Sequence, residues 1–303
     1  MSLQRTLRRA APCAGIGLHS GQKVTITLKP AQADHGIRFC RTDLGGVEIP
    51  ARVSHLAGCP QLQTGVAADR ASVETIEHLL SALRSLGIDN VAIDLNHPEV
   101  PIMDGSAAPW VYLIQDAGIR ELSAPRKTIQ ILRPIQVQQG DKRIAAYPSD
   151  RFKVSYTISF DHPLLRHQQK TLDLDEQTFI DEIAPARTFG FLKEVEMLRQ
   201  RGLALGGSLE NAIVLGETGV LNPLRFDDEF VRHKILDVIG DLALIGHPLL
   251  GHLVVHRGGH ALHTAFAAEL LRQRECWQFV ETPDAADVRP VVAAVPASQP
   301  LAH

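Results

Sequence analysis

The segment EFVRHKILDVIGDLALIG, residues 229–246, constrains the fold of this chain more than any other. Apolar residues occupy most positions around the predicted helix, so this helix must be buried over much of its circumference. His233, Asp237 and Asp241 follow at intervals of four and share one face of that helix. Buried ionisable groups need partners. A divalent metal on His233 and Asp237 would satisfy two of them, with Asp241 as an acceptor one turn on; a His–Asp hydrogen bond along the helix is the alternative.

Each half of the chain contains strands followed by a buried helix and a further strand. The pattern predicts an α+β fold of two similar domains, each a mixed β-sheet layered with α-helices. A site formed by residues of both halves would put the active site between them. A charged, Pro-containing stretch, RELSAPRKTIQ, marks the boundary. We therefore expect domains at 1–122 and 123–280, followed by a mobile, Ala- and Pro-rich tail at 281–303. The segments behind this prediction are the strands KVTITLKP, NVAIDLN, KTIQILRPIQVQQ, RFKVSYTISF and GHLVVHRGG, and the helices TIEHLLSALRSLG and HALHTAFAAELLRQ.

Composition excludes several classes of protein. With 303 residues, 45% hydrophobic and 21% charged, the chain is typical of a globular protein. A net charge of -3 gives no electrostatic reason for a nucleic acid or an anionic membrane as the main partner. The four cysteines form no CxxC pair, which argues against thiolate zinc, and no apolar run approaches the roughly 20 residues of a membrane span. We expect a cytoplasmic monomer without a transmembrane segment.

A third metal ligand is best sought in TIEHLLSAL. Its His78 lies on the amphipathic helix of the first half and directly follows Glu77. Zinc with three nitrogen and oxygen ligands is an open catalytic arrangement, and a nearby carboxylate can take a proton from the attacking water. The alternative is a histidine packed beside a core helix. The absence of HExxH argues against a zincin-type protease.

Three histidines cluster in HRGGHALHTAF: His256, His260 and His263. Gly258 and Gly259 permit a tight turn from strand to helix, which would leave His260 near the helix start. A histidine there could act as a general acid or stabilise an oxyanion, particularly if Asp241 holds its ring. An exposed turn histidine is the alternative.

Several long motifs in order resemble the bacterial UDP-3-O-acyl-N-acetylglucosamine deacetylase family of lipid A biosynthesis, from about Arg5 to about Arg272. They are GIGLHSGQKVTITLKPA, TIEHLLSAL, VPIMDGSAAPWV, ARTFGF, GLALGGSLENAIV, RFDDEFVRHKILDVIGDLALIG and GGHALHTAF. The resemblance implies hydrolysis of the 2-acetamido group of UDP-3-O-(3-hydroxyacyl)-N-acetylglucosamine, with release of acetate. It implies one catalytic Zn²⁺, with Fe²⁺ as the other candidate ion.

The family's site residues can be placed on this sequence one by one. The resemblance implies His78, His233 and Asp237 as zinc ligands and Glu77 as the general base. The other implied residues are the general acid His260, its orienting partner Asp241, the cation Lys234, the oxyanion-stabilising Thr188, and Phe189 at the nucleoside-sugar site.

Residues 191–214 resemble the family insert that forms a hydrophobic passage for the acyl chain. Its apolar residues include Leu192, Val195, Leu198, Leu203 and Leu205, while Gly206 and Gly207 leave room for a turn or for close approach of the substrate. Two departures from the family stand out: His263 replaces the frequent asparagine, and GCPQLQTGVAADRAS diverges at the rim of the site. A metal amidase with another substrate and a binding protein without turnover remain the alternatives.

Overall fold

The computed structural model describes residues 2–58 and 62–281. Five strands of the first half form one sheet. Their spatial order is β2 (Ala11–Ile16), β3 (Lys23–Pro30), β8 (Val91–Leu95), β4 (Ile37–Arg41) and β5 (Val47–Pro50). Buried and more exposed residues alternate along β3 and β8, so one face of each strand packs on the core.

A seven-stranded sheet forms in the second half. Its main path runs β11 (Ile135–Gln139), β12 (Lys142–Tyr147), β17 (Leu249–His256), β10 (Lys127–Ile131) and β18 (Trp277–Glu281), with β13 (Phe152–Ile158) also paired to β17 and β14 (Gln168–Asp173) paired to β13. The first part of β17 pairs with β10 and the remainder with β12 and β13. This long strand therefore joins the two parts of the sheet.

The two sheets repeat one pairing pattern. In the series β2, β3, β8, β4, β5 every neighbouring pair is antiparallel except β4 and β8. The series β11, β12, β17, β13, β14 has the same pattern, with β13 and β17 as its parallel pair. This repetition confirms the predicted α+β fold of two similar units, while the boundary near residue 122 stays a prediction.

Six α-helices form in the described part of the chain. They are α1 (Glu77–Ser85), α2 (Ala108–Ala117), α3 (Glu176–Thr178), α4 (Leu192–Gln200), α5 (Glu229–Leu242) and α6 (His260–Arg272). A π-helical turn, Phe179–Ile183, continues α3, and Ala243–Ile245 continues α5 as a 3-10 turn. Three two-stranded ladders complete the fold: β1 (Leu3–Leu7) with β9 (Ile119–Pro125), β6 (Gly65–Ala68) with β7 (Ala71–Glu74), and β15 (Phe189–Phe191) with β16 (Ile213–Leu215).

The helices α1 and α5 pack against each other and bring the two halves together. Every residue of α5 except Arg232 and Lys234 is buried, as its sequence predicts. Gly240 lies against the start of α1, where a Cβ would stand 2.0 Å from the carbonyl oxygen of Glu77. The absent side chain thus allows the two helix backbones to approach closely.

None of the helices in the described ranges is long and apolar enough to cross a membrane. Residues 282–303, which make up nearly all of the tail predicted to be mobile, lie outside the described part, as do residues 59–61 of the divergent rim.

Candidate metal centre and active site

The packing of α1 on α5 brings His78, His233 and Asp237 together. One ligand atom from each lies within 4.8 Å of the others, and all three residues are buried. His233 Nε2 lies 3.2 Å from Asp237 Oδ1, and His78 Nε2 lies 3.8 Å from the same oxygen. The four-residue spacing on α5 therefore places two donors side by side, and α1 supplies the third from the other half of the chain.

His233 is oriented by the backbone. Its Nδ1 donates a hydrogen bond to the Ala186 carbonyl at 3.0 Å, which leaves the lone pair of Nε2 directed at the cluster. A backbone acceptor of this kind commonly fixes a metal-binding histidine. Burial lowers the pKa of His78 to about 3, and the neighbouring His233 adds to the effect. His78 is thus suited to act as a neutral nitrogen ligand, while His233 directs a nitrogen at the cluster through its backbone hydrogen bond.

Asp237 carries a buried oxygen that lacks a partner. Its Oδ1 makes no hydrogen bond within the described residues, whereas Oδ2 accepts one from Lys234 Nζ at 2.6 Å. Burial alone would raise the pKa of Asp237, but His233 and Lys234 outweigh it and hold that pKa well below the usual range. An ionised carboxylate oxygen with no donor, facing two imidazole nitrogens, is what a cation site requires.

Glu77 begins α1 directly before His78. Its Oε2 accepts a hydrogen bond from the Thr64 backbone N–H at 3.0 Å. Burial raises the pKa of Glu77 to about 7; nearby His260 opposes this shift, while Asp241 and Asp237 reinforce it. A carboxyl group whose pKa lies near neutrality is well matched to exchange protons with a substrate or water.

His260 is the first residue of α6 and is held by Asp241. Gly259 precedes it as the N-cap, so the strand-to-helix turn forms as the two glycines predict. His260 Nδ1 donates to Asp241 Oδ2 at 2.9 Å. Burial would lower the pKa of His260, but the carboxylates of Asp241 and Asp237 raise it to about 9. The ring therefore favours the protonated form that a general acid needs.

Asp241 has two further partners that sequence reasoning did not assign. Thr64 Oγ1 donates to Oδ1 at 2.6 Å, and His263 Nδ1 donates to Oδ2 at 2.8 Å. His263 Nε2 in turn accepts from the Tyr156 hydroxyl at 3.0 Å. The departure at His263 was visible in the sequence, but nothing there indicated Tyr156 or Thr64, which reach the site only through the packing of distant strands.

The remaining predicted residues surround this centre. Thr188, Phe189 and Lys234 line one pocket of about 290 Å³ together with the metal cluster, Glu77 and His260. Lys234 Nζ lies 5.6 Å from the centre of the Phe189 ring. Gly207 does not reach this pocket and lines a neighbouring cavity instead.

That neighbouring cavity, of about 420 Å³, lies beside the predicted insert and is mainly apolar. Leu192, Val195 and Leu198 line it from α4, while Leu203 and Leu205 do not. Leu205 instead donates its backbone N–H to the His19 carbonyl at 3.1 Å, tying the insert to the first half. The cavity and the metal pocket share several wall residues: Leu18, His19, Leu62, Thr188, Phe189, Gly190, Phe191 and Glu194.

Comparison with known proteins agrees with these motifs. The family model described as UDP-3-O-acyl N-acetylglycosamine deacetylase matches residues 4–272. A protein named UDP-3-O-acyl-N-acetylglucosamine deacetylase from Pseudomonas entomophila (strain L48) is 50% identical over 303 residues, covering 97% of this chain and 100% of the relative. Relatives of the same name from Hahella chejuensis (strain KCTC 2396) and Acidithiobacillus ferrooxidans (strain ATCC 53993 / BNL-5-31) are 48% and 50% identical, covering 97% and 93% of this chain and 100% and 94% of their own lengths.

Proposed function

Because this chain belongs to the UDP-3-O-acyl-N-acetylglucosamine deacetylase family, we propose that it is a zinc-dependent hydrolase of the 2-acetamido group of UDP-3-O-(3-hydroxyacyl)-N-acetylglucosamine. The products are acetate and a free sugar amine, and the reaction is the committed step of lipid A biosynthesis. The observation that carries the proposal is the buried trio His78, His233 and Asp237 with Glu77 beside it. A cytoplasmic, monomeric state stays a prediction.

The donor set fits a single divalent ion. Two imidazole nitrogens and one carboxylate oxygen are usual ligands of catalytic zinc, and the oxygen of Asp237 without a hydrogen bond marks where positive charge is needed. When bound, zinc would polarise the amide carbonyl and lower the pKa of water. The Irving–Williams order favours Zn²⁺ over Fe²⁺ at such a site, although the metal supply in the cell can reverse the choice.

Glu77 is the residue we assign to activating water. Its carboxylate takes a proton as the water oxygen bonds to the amide carbon, and its pKa of about 7 allows it to hold that proton. The hydrogen bond from the Thr64 backbone fixes one carboxylate oxygen. The other oxygen therefore remains available for proton transfer.

We assign the completion of the reaction to His260. When the bond between the amide carbon and nitrogen breaks, the ring donates a proton to the departing amine, and Asp241 stabilises the charged imidazole. The Thr188 hydroxyl and the Lys234 ammonium line the same pocket and could stabilise the negative charge on the carbonyl oxygen. The apolar cavity beside α4 would take the acyl chain, with Phe189 at its junction with the metal pocket.

Acetate release by the purified chain tests substrate and metal together. Activity should disappear after treatment with a chelator and return near one equivalent of added Zn²⁺. Replacing His233 with alanine should reduce the bound zinc, whereas His167→Ala, at an exposed histidine, should leave it unchanged. Zinc-loaded protein that binds the substrate but releases no acetate would contradict the proposed reaction.

A further inference from the structure

A separate cavity, of about 400 Å³, lies at the opposite ends of the two helices that carry the metal cluster. Arg84 and Ser85, in the last turn of α1, and Ile239 and Leu242, near the end of α5, form part of its wall. Its volume falls within the range typical of small-molecule pockets. The cavity shares no lining residue with the metal pocket or with the apolar cavity beside α4.

Three polar atoms of its wall residues are buried without a hydrogen-bond partner among the residues described: Arg84 Nε, Arg84 Nη1 and Ser2 Oγ. The Asp89 carboxylate is 3.9 Å from Arg84 Nη1, beyond hydrogen-bond distance, and the same oxygen accepts from Arg126 Nε at 2.9 Å. Leaving charged donors buried and unpaired is costly. Arg84 therefore has a long ion pair with Asp89 but no hydrogen-bond acceptor for Nε or Nη1 among the described residues.

Two further guanidinium groups line this cavity, those of Arg5 and Arg126. They converge on Gly87, where an added Cβ would lie 3.3 Å from Arg126 Nη1 and 3.4 Å from Arg5 Nη1. Of the carboxylates in the wall, Asp175 accepts from the Thr178 backbone at 2.7 Å, and Glu176 is 3.7 Å from Arg5 Nη1. Neither carboxylate hydrogen-bonds to Arg84.

The rest of the wall is largely apolar. This apolar portion comprises Leu3, Phe152, Leu174, Ile239, Leu242, Pro248 and Leu249. Buried apolar surface favours a hydrocarbon group, while a guanidinium whose donors lack hydrogen bonds favours an anion. An inorganic anion would leave the apolar wall uncovered, and a neutral hydrocarbon would give Arg84 no hydrogen-bond acceptor. An occupant with both features satisfies both parts of the wall.

We propose that this cavity is a binding site for a small amphiphilic carboxylate, separate from the catalytic site. Its carboxylate pairs with the guanidinium charge of Arg84, and its aliphatic chain lies against Phe152, Leu174 and Leu242. Such a ligand would contact the back of both helices that carry the metal cluster.

Decanoate is a suitable probe, measured by titration calorimetry on the zinc-loaded full chain. Decanoate could also enter the apolar cavity beside α4, so two variants separate the sites. Arg84→Met keeps the length of the side chain and removes its charge, and should weaken decanoate binding at least about tenfold. Val195→Trp fills the cavity beside α4 and should leave the tighter decanoate binding intact.

Two control ligands test the proposed chemistry. Inorganic phosphate lacks the chain and decanol lacks the charge, so both should bind more weakly than decanoate. Decanoate binding that survives Arg84→Met but is lost in Val195→Trp would overturn the proposal in favour of the other cavity. The proposal would also be overturned if decanol or phosphate bound as tightly as decanoate. It would be overturned as well if decanoate did not bind, which would mean a hydrated cavity only.

Arg84→Met should fold, because it replaces a poorly paired buried charge with an apolar side chain. Thermal unfolding checks this expectation. If that variant nevertheless fails to fold, Arg5→Met, at a side chain that is 35% exposed, provides the second test. It should weaken decanoate binding several-fold, and unchanged binding there would count against the proposal.

Discussion

At the scale of single residues, the two aspartates of α5 have different roles because their hydrogen-bond partners differ. Asp237 has one oxygen without a donor, beside two imidazole nitrogens. Asp241, four residues later, accepts hydrogen bonds from Thr64, His260 and His263. The first carboxylate is therefore available to a cation, while the second is committed to holding rings in place.

Glu77→Gln tests the assigned base. Glutamine keeps an oxygen that can accept from the Thr64 backbone but cannot take a proton, so we expect acetate release to fall by about 10²–10⁴-fold. Zinc content should not change, because Glu77 is not among the proposed ligands. Metal analysis and initial rates measure the two effects, with Glu121→Gln, at an exposed glutamate, as the matched control. Loss of zinc together with full activity on reconstitution would refute the assignment.

His263→Asn tests the extended network around Asp241. The shorter side chain would leave the buried Tyr156 hydroxyl without its acceptor, at a cost of about 1–3 kcal/mol in the free energy of unfolding. Adding Tyr156→Phe should recover most of that loss, because the stranded hydroxyl is then absent. Urea unfolding of the two single variants and the double variant measures the coupling. Strictly additive losses would show that the hydrogen bond contributes nothing.

At the scale of elements, the sequence predicted the helices with strong apolar periodicity but not the short strands that form only by pairing with another strand. The periods of α1, α5 and α6 place their helices. Gly87 lies two residues beyond α1 and Gly246 caps the 3-10 turn that continues α5, each with positive φ. The short ladder β6–β7 carries no comparable signal, since its four-residue strands depend on partners rather than on their own pattern. Thr64, which precedes β6, was missed for that reason.

The contact of α1 with α5 makes Gly240→Ala an informative change. Helix propensity alone predicts a gain of roughly 0.5–1 kcal/mol for alanine in a helix interior. The added Cβ, however, would stand 2.0 Å from the Glu77 carbonyl oxygen, which belongs to the backbone of α1 and cannot move aside as a flexible side chain would. Overpacking should outweigh the gain in helix propensity, with a net loss of about 1–3 kcal/mol in the free energy of unfolding.

The same substitution should weaken zinc binding, because His78 and His233 lie on the two helices that would be forced apart. Equilibrium dialysis against a zinc chelator measures this effect. Gly219→Ala is the matched control, since a Cβ there meets nothing within 4 Å and φ is not positive. An unchanged zinc affinity in Gly240→Ala would show that the helix contact does not set the metal geometry.

At the scale of the whole molecule, α1 and α5 belong to the two different halves of the chain and pack against each other. The metal cluster then forms only when both halves are folded, because His78 comes from one and His233 and Asp237 come from the other. Periodicity predicted each helix separately. Their mutual contact depends on Gly240 and on the pairing of distant strands, so the sequence alone could supply it only through a family resemblance.

Stability should fall in mild acid, and His247 provides one identifiable cause. Burial lowers the pKa of His247 from 6.5 to about 4, and the charges of Arg52 and Arg84 contribute. The unfolded chain takes up this proton below about pH 6.5, while the folded chain resists it until about pH 4. The contribution of His247 to folding is therefore complete above pH 6.5 and is lost progressively as the pH falls towards 4.

His247→Gln should reduce this acid sensitivity, because it removes the titrating ring. Between pH 7.5 and 4.5 the variant should lose about 1–2 kcal/mol less free energy of unfolding than the parent, a value already reduced for solvent screening of a partly exposed group. Urea unfolding of the metal-free protein avoids the proton-linked release of zinc. His167→Gln, at an exposed histidine, should lose as much stability as the parent. If His247→Gln loses as much free energy of unfolding as the parent and His167→Gln, the buried ring of His247 is not a source of the pH dependence. The charge of Arg84 is then better screened from this ring than the packing implies.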